Sequence, residues 1–396
     1  MSINRSVLFS AFVFALMTFQ GCETDIDVIA PKRDVTIIYG LLEADKTKHY
    51  FKINRAFVGE DSATVLAAKE GVNEYASDEM SAKVLELSET GEVTNAWDLT
   101  ATYSTGKEDG AFFSDSNKIY FFEAQLNANR LYKLECIVNV DGEDENKVTA
   151  TTDIIGQAAS SGGIEQVRLI APGLSGNPGS TNNQTDRSSD EVKLVNGIEY
   201  NSGFKVSWSN VSGGVLYTAF LRLYYRDFNI SSGLQTAYDS VTLSIGTRQF
   251  DTDEQISFPS IGTEDYFATI GKRVSDLEPA EISGIKRIVS DTVQFFIEVA
   301  NEELATYIEV NQPISGVVQD RPEYTNVLNG IGIFGSRVVA NTKRSSIRED
   351  GRILDKETLE ELLYSNLPQT GDYTKSKSFT RPGRCFVDPA TGPKCQ

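Results

Sequence analysis

The stretch Arg130-Leu131-Tyr132-Lys133-Leu134-Glu135-Cys136-Ile137-Val138-Asn139-Val140 decides the fold. Apolar and polar residues alternate along it, and alternate side chains on an extended chain share a face. A strand with one buried side follows, and Cys136 reads as an inert core thiol rather than a nucleophile.

Working outward, the same period recurs. Asp34-Val35-Thr36-Ile37-Ile38-Tyr39-Gly40-Leu41-Leu42 is β-branched and bounded by turns, and His49-Tyr50-Phe51-Lys52-Ile53-Asn54-Arg55-Ala56-Phe57 alternates. So do Ala82-Lys83-Val84-Leu85-Glu86-Leu87, Lys118-Ile119-Tyr120-Phe121-Phe122 and Lys147-Val148-Thr149-Ala150-Thr151-Thr152. Short period-two strands separated by turns predict an all-β chain. Alanines and acids over residues 61–78 predict a short helix within a strand connection.

A flexible composition, Gly156-Gln157-Ala158-Ala159-Ser160-Ser161-Gly162-Gly163, marks a boundary. Residues 34–155 are therefore expected to form one β-sandwich and residues 164–345 a second, with a long Gly/Ser/Asn surface loop at 173–187. In the second region, Phe204-Lys205-Val206-Ser207-Trp208 and Gly213-Gly214-Val215-Leu216-Tyr217-Thr218-Ala219-Phe220-Leu221-Arg222-Leu223-Tyr224-Tyr225 resemble a fibronectin type III-like sandwich, with a Trp beneath an aromatic of the next strand. The expected fold is two tandem immunoglobulin/fibronectin-like β-sandwich domains. Thr292-Val293-Gln294-Phe295-Phe296-Ile297-Glu298-Val299-Ala300 reads as a late strand, and a turn or short helix follows at Leu304-Ala305-Thr306-Tyr307-Ile308. Residues 346–396 hold the best α-helix, Asp355-Lys356-Glu357-Thr358-Leu359-Glu360-Glu361-Leu362-Leu363-Tyr364, ended by Pro368 and Gly371, and then an irregular tail.

Residues 1–21 read as a lipoprotein signal peptide. Arg5 supplies the basic start, an apolar run from Val7 to Phe19 is short for a membrane span, and Gly21-Cys22 closes it. Phe19 and Gln20 depart from the commonest residues at such a cleavage site. Cleavage would leave Cys22 first, carrying acyl chains such as palmitate, with residues 22–33 as an acidic tether. An ordinary signal peptide beside a chance cysteine and an uncleaved anchor are the alternatives.

The chain has 396 residues with 37 Lys plus Arg against 56 Asp plus Glu, a net charge of −19. That balance argues against a nucleic-acid partner, whose phosphates need cations. Cys385 and Cys395 flank a short Gly/Pro-rich loop and are expected to form a disulfide, in keeping with an oxidising compartment. No metal site and no cofactor are expected: there is no C-x-x-C, and His49 is the single histidine. Gly330-Ile331-Gly332-Ile333-Phe334-Gly335 satisfies G-x-G-x-x-G, but β-branched residues follow it and no βαβ alternation surrounds it. A glycine-spaced edge strand or bulge is the expectation. The acidic runs Asp141-Gly142-Glu143-Asp144-Glu145, Asp251-Thr252-Asp253-Glu254 and Glu264-Asp265 read as solvated turns rather than calcium or glycosidase sites. Most aromatics alternate like core residues.

Cys22 with its acidic tether, Ile38-Tyr39-Gly40, Phe51-Lys52-Ile53-Asn54-Arg55-Ala56-Phe57 and Pro322-Glu323-Tyr324-Thr325-Asn326-Val327-Leu328-Asn329-Gly330-Ile331-Gly332-Ile333-Phe334-Gly335 together resemble a Bacteroidota outer-membrane lipoprotein family, domain of unknown function family 4249. The resemblance implies an outer-membrane lipoprotein, often associated with TonB-dependent transporter systems, and carries no catalytic residues. In such proteins an acidic segment after the cysteine, here residues 23–27, looks like a signal for export to the cell surface. The expected function is a non-enzymatic accessory subunit, anchored in the bilayer through Cys22 and serving an outer-membrane barrel such as a TonB-dependent transporter. A carbohydrate- or nutrient-binding lipoprotein is the alternative, and a hydrolase using two acidic residues the third.

Overall fold

A computed structural model describes residues 35–56, 62–104, 110, 113, 117–139, 146–156, 169–170, 191–192, 194–200, 207–208, 211–249, 256–257, 263–278, 281, 283–312, 323–341, 352–365, 367, 372–380, 385–388 and 392–395. Cys22, the signal segment, the tether, the loop at 173–187 and the acidic runs at 141–145 and 251–254 lie outside them.

The described chain is mostly β. Its first part contains β1 (Thr36–Leu42), β2 (Lys48–Arg55), α1 (Ala63–Ala67), β3 (Met80–Leu87), β4 (Val93–Asp98), β5 (Thr100–Ser104), β6 (Asn117–Glu123), β7 (Leu131–Val138) and β8 (Asn146–Thr152). Five two-residue strands follow: β9 (Leu169–Ile170), β10 (Glu191–Val192), β11 (Val195–Asn196), β12 (Glu199–Tyr200) and β13 (Ser207–Trp208). Then come β14 (Leu216–Asn229), β15 (Gln235–Gln249), β16 (Ile256–Ser257), α2 (Glu264–Arg273), β17 (Ile285–Ala300), α3 (Glu302–Val310) and β18 (Gly330–Asn341). The last elements are β19 (Arg352–Leu354), α4 (Lys356–Tyr364), β20 (Phe379–Thr380), β21 (Cys385–Asp388) and β22 (Gly392–Cys395).

The strands read from alternation are present within a residue or two of the expected bounds. β4 and β5 were not legible, because their side chains are mostly exposed on both faces and carry no inward period. In the first part, β4-β3-β7-β8 forms one sheet and β18-β1-β2-β6-β5 runs along another. Ile38, Phe51, Phe122 and Phe334 of one meet Val84, Tyr132, Leu134 and Cys136 of the other in a single core. Each such fully buried side chain contributes about 1.5–3 kcal/mol.

In the second part, β14 lies between β15 and β17. Its odd-numbered residues Tyr217 to Tyr225 face a core completed by Tyr266, Phe267 and Ile270 of α2 and by Leu362 and Leu363 of α4. Ser207 and Trp208, expected on a sandwich strand, pair with β9 and β16 in a separate small sheet.

The G-x-G-x-x-G stretch lies on β18, which pairs in parallel with β1 from Gly330 to Ser336 and antiparallel with β17 from Arg337 to Asn341. Among the described residues the glycine half therefore has a strand neighbour on one side, and the whole strand joins two others. A strand from the second region thereby completes a sheet of the first. The glycines are needed for close approach. Gly332 has φ of 116°, and a Cβ there would lie 1.9 Å from the Ile38 carbonyl oxygen. At Gly335 a Cβ would stand 3.2 Å from Leu304 Cβ, where α3 crosses the strand. Along the other edge of this first half, Asn326 substitutes for a neighbouring strand. Its Oδ1 accepts from Phe334 N at 2.9 Å and its Nδ2 donates to Phe334 O at 2.6 Å.

Helix ends follow the residues. Asp355 Oδ1 caps α4 by accepting from Thr358 N at 3.2 Å. Ser365, with φ of 47°, stops that helix before Pro368 and Gly371 are reached, which corrects the expected terminator. The tail forms a hairpin in which Cys385 is the direct partner of Cys395.

Candidate functional site

The outward face of the sheet containing β1, β2 and β6 gathers aromatics that the alternation does not bury. On β1, Ile38, Gly40 and Leu42 point into the core, so Ile37, Tyr39 and Leu41 point away. On β2, His49, Phe51 and Ile53 are buried and Tyr50 and Lys52 face out. On β6, Ile119 and Phe121 face out. Register sets Ile37 beside Ile331, Tyr39 beside Lys52, and Tyr50 beside Phe121. Tyr39, Tyr50 and Ile331 remain 45 %, 51 % and 45 % exposed.

One border of this field is α3. Leu304 and Ala305 pack with Leu216 and Ala300, and Leu41 rests on that cluster. Further along the helix, Tyr307 meets Tyr39 edge-to-face with centroids 6.3 Å apart. Burial and the Tyr39 hydroxyl push the Tyr307 phenol up to about 12, so it stays neutral at physiological pH. At the other border, Lys48 Nζ sits 3.8 Å from the Phe121 ring centroid and 3.1 Å from Glu123 Oε1. The sequence held the signal for this field: Tyr50 falls in phase with Lys52, opposite to Phe51. Many aromatics are core residues, as their alternation predicts, and Tyr39 and Tyr50 are among those that stay exposed.

The border at α3 continues into a buried polar junction. Asn301, fully buried, caps α3 by accepting from Leu304 N and also accepts from Ser336 N of β18 at 3.1 Å. Its Nδ2 meets Thr152 Oγ1 at 2.9 Å, Asp153 Oδ1 at 2.8 Å and Glu303 Oε2. Burial, then the nearby Asp153 and Glu302 carboxylates, hold the Glu303 carboxyl above its usual range, while its own backbone N–H opposes them.

Other charged groups have structural partners. His49 is buried, bonds the Ala124 carbonyl through Nε2 at 3.1 Å and packs on Phe122; burial pulls its pKa down. Burial pulls Glu86 upward, but hydrogen bonds from Thr94, Asn95 and Tyr132 outweigh it and keep Glu86 ionised. Glu135, itself buried, is ringed by the part-exposed lysines Lys83, Lys133 and Lys147. Burial pulls its carboxyl upward, but Lys133 and Lys147 outweigh it and hold the group below the usual range. Glu264 and Asp265 open α2 rather than forming a turn, and Glu264 accepts from Tyr373. Among the described residues no group of three or more His, Cys, Asp or Glu is arranged to hold a metal ion, and no helix is long and apolar enough to cross a membrane.

Cys136 is buried in the first core. Of the residues singled out for chemistry by sequence, the backbone brings Cys385 and Cys395 opposite each other, their side chains being outside the described set. Searched against the models of known families the chain matches none, and no curated protein matches it.

Proposed function

We propose that this protein is a non-enzymatic accessory subunit, tethered to the outer membrane by acyl chains on Cys22, facing the cell surface and docking on a β-barrel such as a TonB-dependent transporter. The observation that carries the reading is the outward aromatic field of β1, β2 and β6. Contiguous exposed apolar surface on a soluble domain marks an interaction site, and Tyr with cationic neighbours is enriched at such sites. Two immunoglobulin/fibronectin-like modules, the membership of family 4249, and a Cys385–Cys395 disulfide belong to the same proposal. The facing sheets of the first part favour the sandwich there. The disulfide is favoured because directly opposed strand residues lie about 4.5–5.5 Å apart at Cα, within disulfide range.

The test is extraction from the native host in mild detergent, followed by affinity capture and identification of what co-purifies. A barrel protein captured by the parent chain and lost with Tyr39→Ser/Tyr50→Ser supports the proposal; a chain recovered consistently alone overturns it. Mass spectrometry of the same material reads acylation at Cys22 and the loss of two hydrogens at the cysteine pair.

A further inference from the structure

The buried amide of Asn301 has more acceptors around it than hydrogens to give. Its Oδ1 accepts from two backbone donors, Leu304 N at 3.3 Å and Ser336 N at 3.1 Å, which fixes the nitrogen on the other side. That nitrogen carries two hydrogens and meets three oxygens: Thr152 Oγ1 at 2.9 Å, Asp153 Oδ1 at 2.8 Å and Glu303 Oε2. Thr152 donates its own hydroxyl hydrogen to the Asp153 carbonyl at 3.2 Å, so toward Asn301 it only accepts. One amide hydrogen is left for two carboxyl groups.

Among the described residues no Lys or Arg pairs with Asp153 or Glu303, and the Arg337 guanidinium of β18 is taken by Glu43 at 2.7 Å. The titratable groups that face Glu303 are Asp153 from the end of β8, Glu302 from α3 itself, and Tyr324 from the segment before β18. Burial, then the Glu303 and Glu302 carboxylates, raise the Tyr324 phenol, so it brings no charge of its own. Two ionised carboxylates drawn to one nitrogen repel each other, and protonating one supplies the missing hydrogen. Glu303, raised first by its own burial, is the group that takes it.

We infer that Glu303 and Asp153 share one proton at this junction, and that the proton latches the end of β8 onto the start of α3. With it in place, three hydrogens serve the three oxygens. When it leaves, two like charges meet where the first region contacts the helix. The release falls on an element with a second role: Leu304 of α3 belongs to the cluster under Leu41, and Tyr307 packs on Tyr39. The sign follows from the Glu303 carboxyl being raised in the folded chain. The latch is closed below the usual carboxyl range and opens as pH rises through the folded value, loosening α3 and with it the border of the aromatic field. This inference does not rest on the accessory-subunit reading, since it concerns a contact within the chain.

The test is hydrogen–deuterium exchange of the full chain, purified in mild detergent and read by mass spectrometry in steps from about pH 4 to about pH 8. Protection is corrected for the intrinsic rise of exchange with pH. Peptides covering residues 146–156 and 301–310 should lose about tenfold in protection across the range, while residues 131–138 of β7 hold theirs. Glu303→Gln keeps a donor at every pH and should abolish the loss. Asp153→Asn supplies the hydrogen from the other side and should do the same, so the test stands if one variant fails to fold. Glu302→Gln, at an exposed position, should retain the loss. Infrared difference spectra of the parent should show a protonated carboxyl band that titrates over the same range and is missing in Glu303→Gln. A flat protection profile in the parent, an undiminished loss in Glu303→Gln or Asp153→Asn, or no such band overturns the inference.

Discussion

Asn301 Nδ2, at the end of β17, donates to Thr152 Oγ1, at the end of β8, over 2.9 Å. The same amide accepts from Ser336 N of β18, so one buried side chain ties the last strand of the first region to two strands of the second. A capping residue is worth about 1 kcal/mol, and a buried donor left without an acceptor costs about 1–3 kcal/mol more. Asn301→Ala should therefore lose about 3 kcal/mol, read as a lower midpoint in urea unfolding.

The same junction sets a pH dependence. Because the Glu303 carboxyl is raised in the folded state, its contribution is fully present below its unfolded pKa and is lost as pH rises through the folded value. Glu86 and Glu135 are depressed, so theirs is present at neutral pH and lost as pH falls. Glu303→Gln should flatten the decline in stability on the alkaline side of the usual carboxyl range and leave the acid limb intact. Urea midpoints measured in steps from about pH 4 to about pH 8 check this.

Arg287 and Asp227 form a bidentate pair, Nε to Oδ1 at 2.8 Å and Nη2 to Oδ2 at 2.9 Å, with Arg287 only 3 % exposed. Arg287 Nη1 also donates to the Ser275 carbonyl at 2.7 Å. Asp227→Ala strands a buried guanidinium and should cost about 3–5 kcal/mol, whereas Asp227→Leu/Arg287→Met should cost less than the single change. A double-mutant cycle on unfolding free energy measures the difference.

Gly332→Ala places a methyl group on the Ile38 carbonyl at a left-handed φ. The parallel pairing of β1 with β18 should fail, giving a loss above about 3 kcal/mol or no folded protein. Gly71, with φ of 69° and open space around it, is the control: Gly71→Ala should cost about 1 kcal/mol. Thermal melting of both variants separates steric from conformational cost.

Tyr266 is buried in the second core, and its hydroxyl has no hydrogen-bond partner among the described residues. Burial alone drives its phenol far above the ordinary range. Tyr266→Phe removes an unsatisfied polar atom while keeping the ring against Phe267, so stability should rise by about 1 kcal/mol. A higher urea midpoint is the expected outcome.

Several features were legible because they are local. Alternation in residues 130–140 announced β7, and leucines at helical spacing, Leu359, Leu362 and Leu363, announced α4. Arg222, Tyr224 and Arg226 stand at every second position of one strand, and that spacing alone puts them on one face. Tyr50 beside Lys52 carried the phase of the aromatic field in the same way. The junction was not legible: Asn301, Thr152 and Ser336 are ordinary polar residues, and nothing in their neighbours says they meet.

By itself, the sequence determined the all-β class, most strand positions, the buried place of Cys136 and the chain's acidic charge. Those properties follow from side-chain period and charge, which need only a few consecutive residues. Tertiary structure alone decided that β18 pairs with β1, that Arg337 reaches Glu43 across the chain at 2.7 Å, and that Tyr307 of α3 packs against Tyr39. A two-residue period states which side of a strand is buried and is silent about its neighbour. Partner choice comes from long-range packing, here from glycines that let two backbones touch.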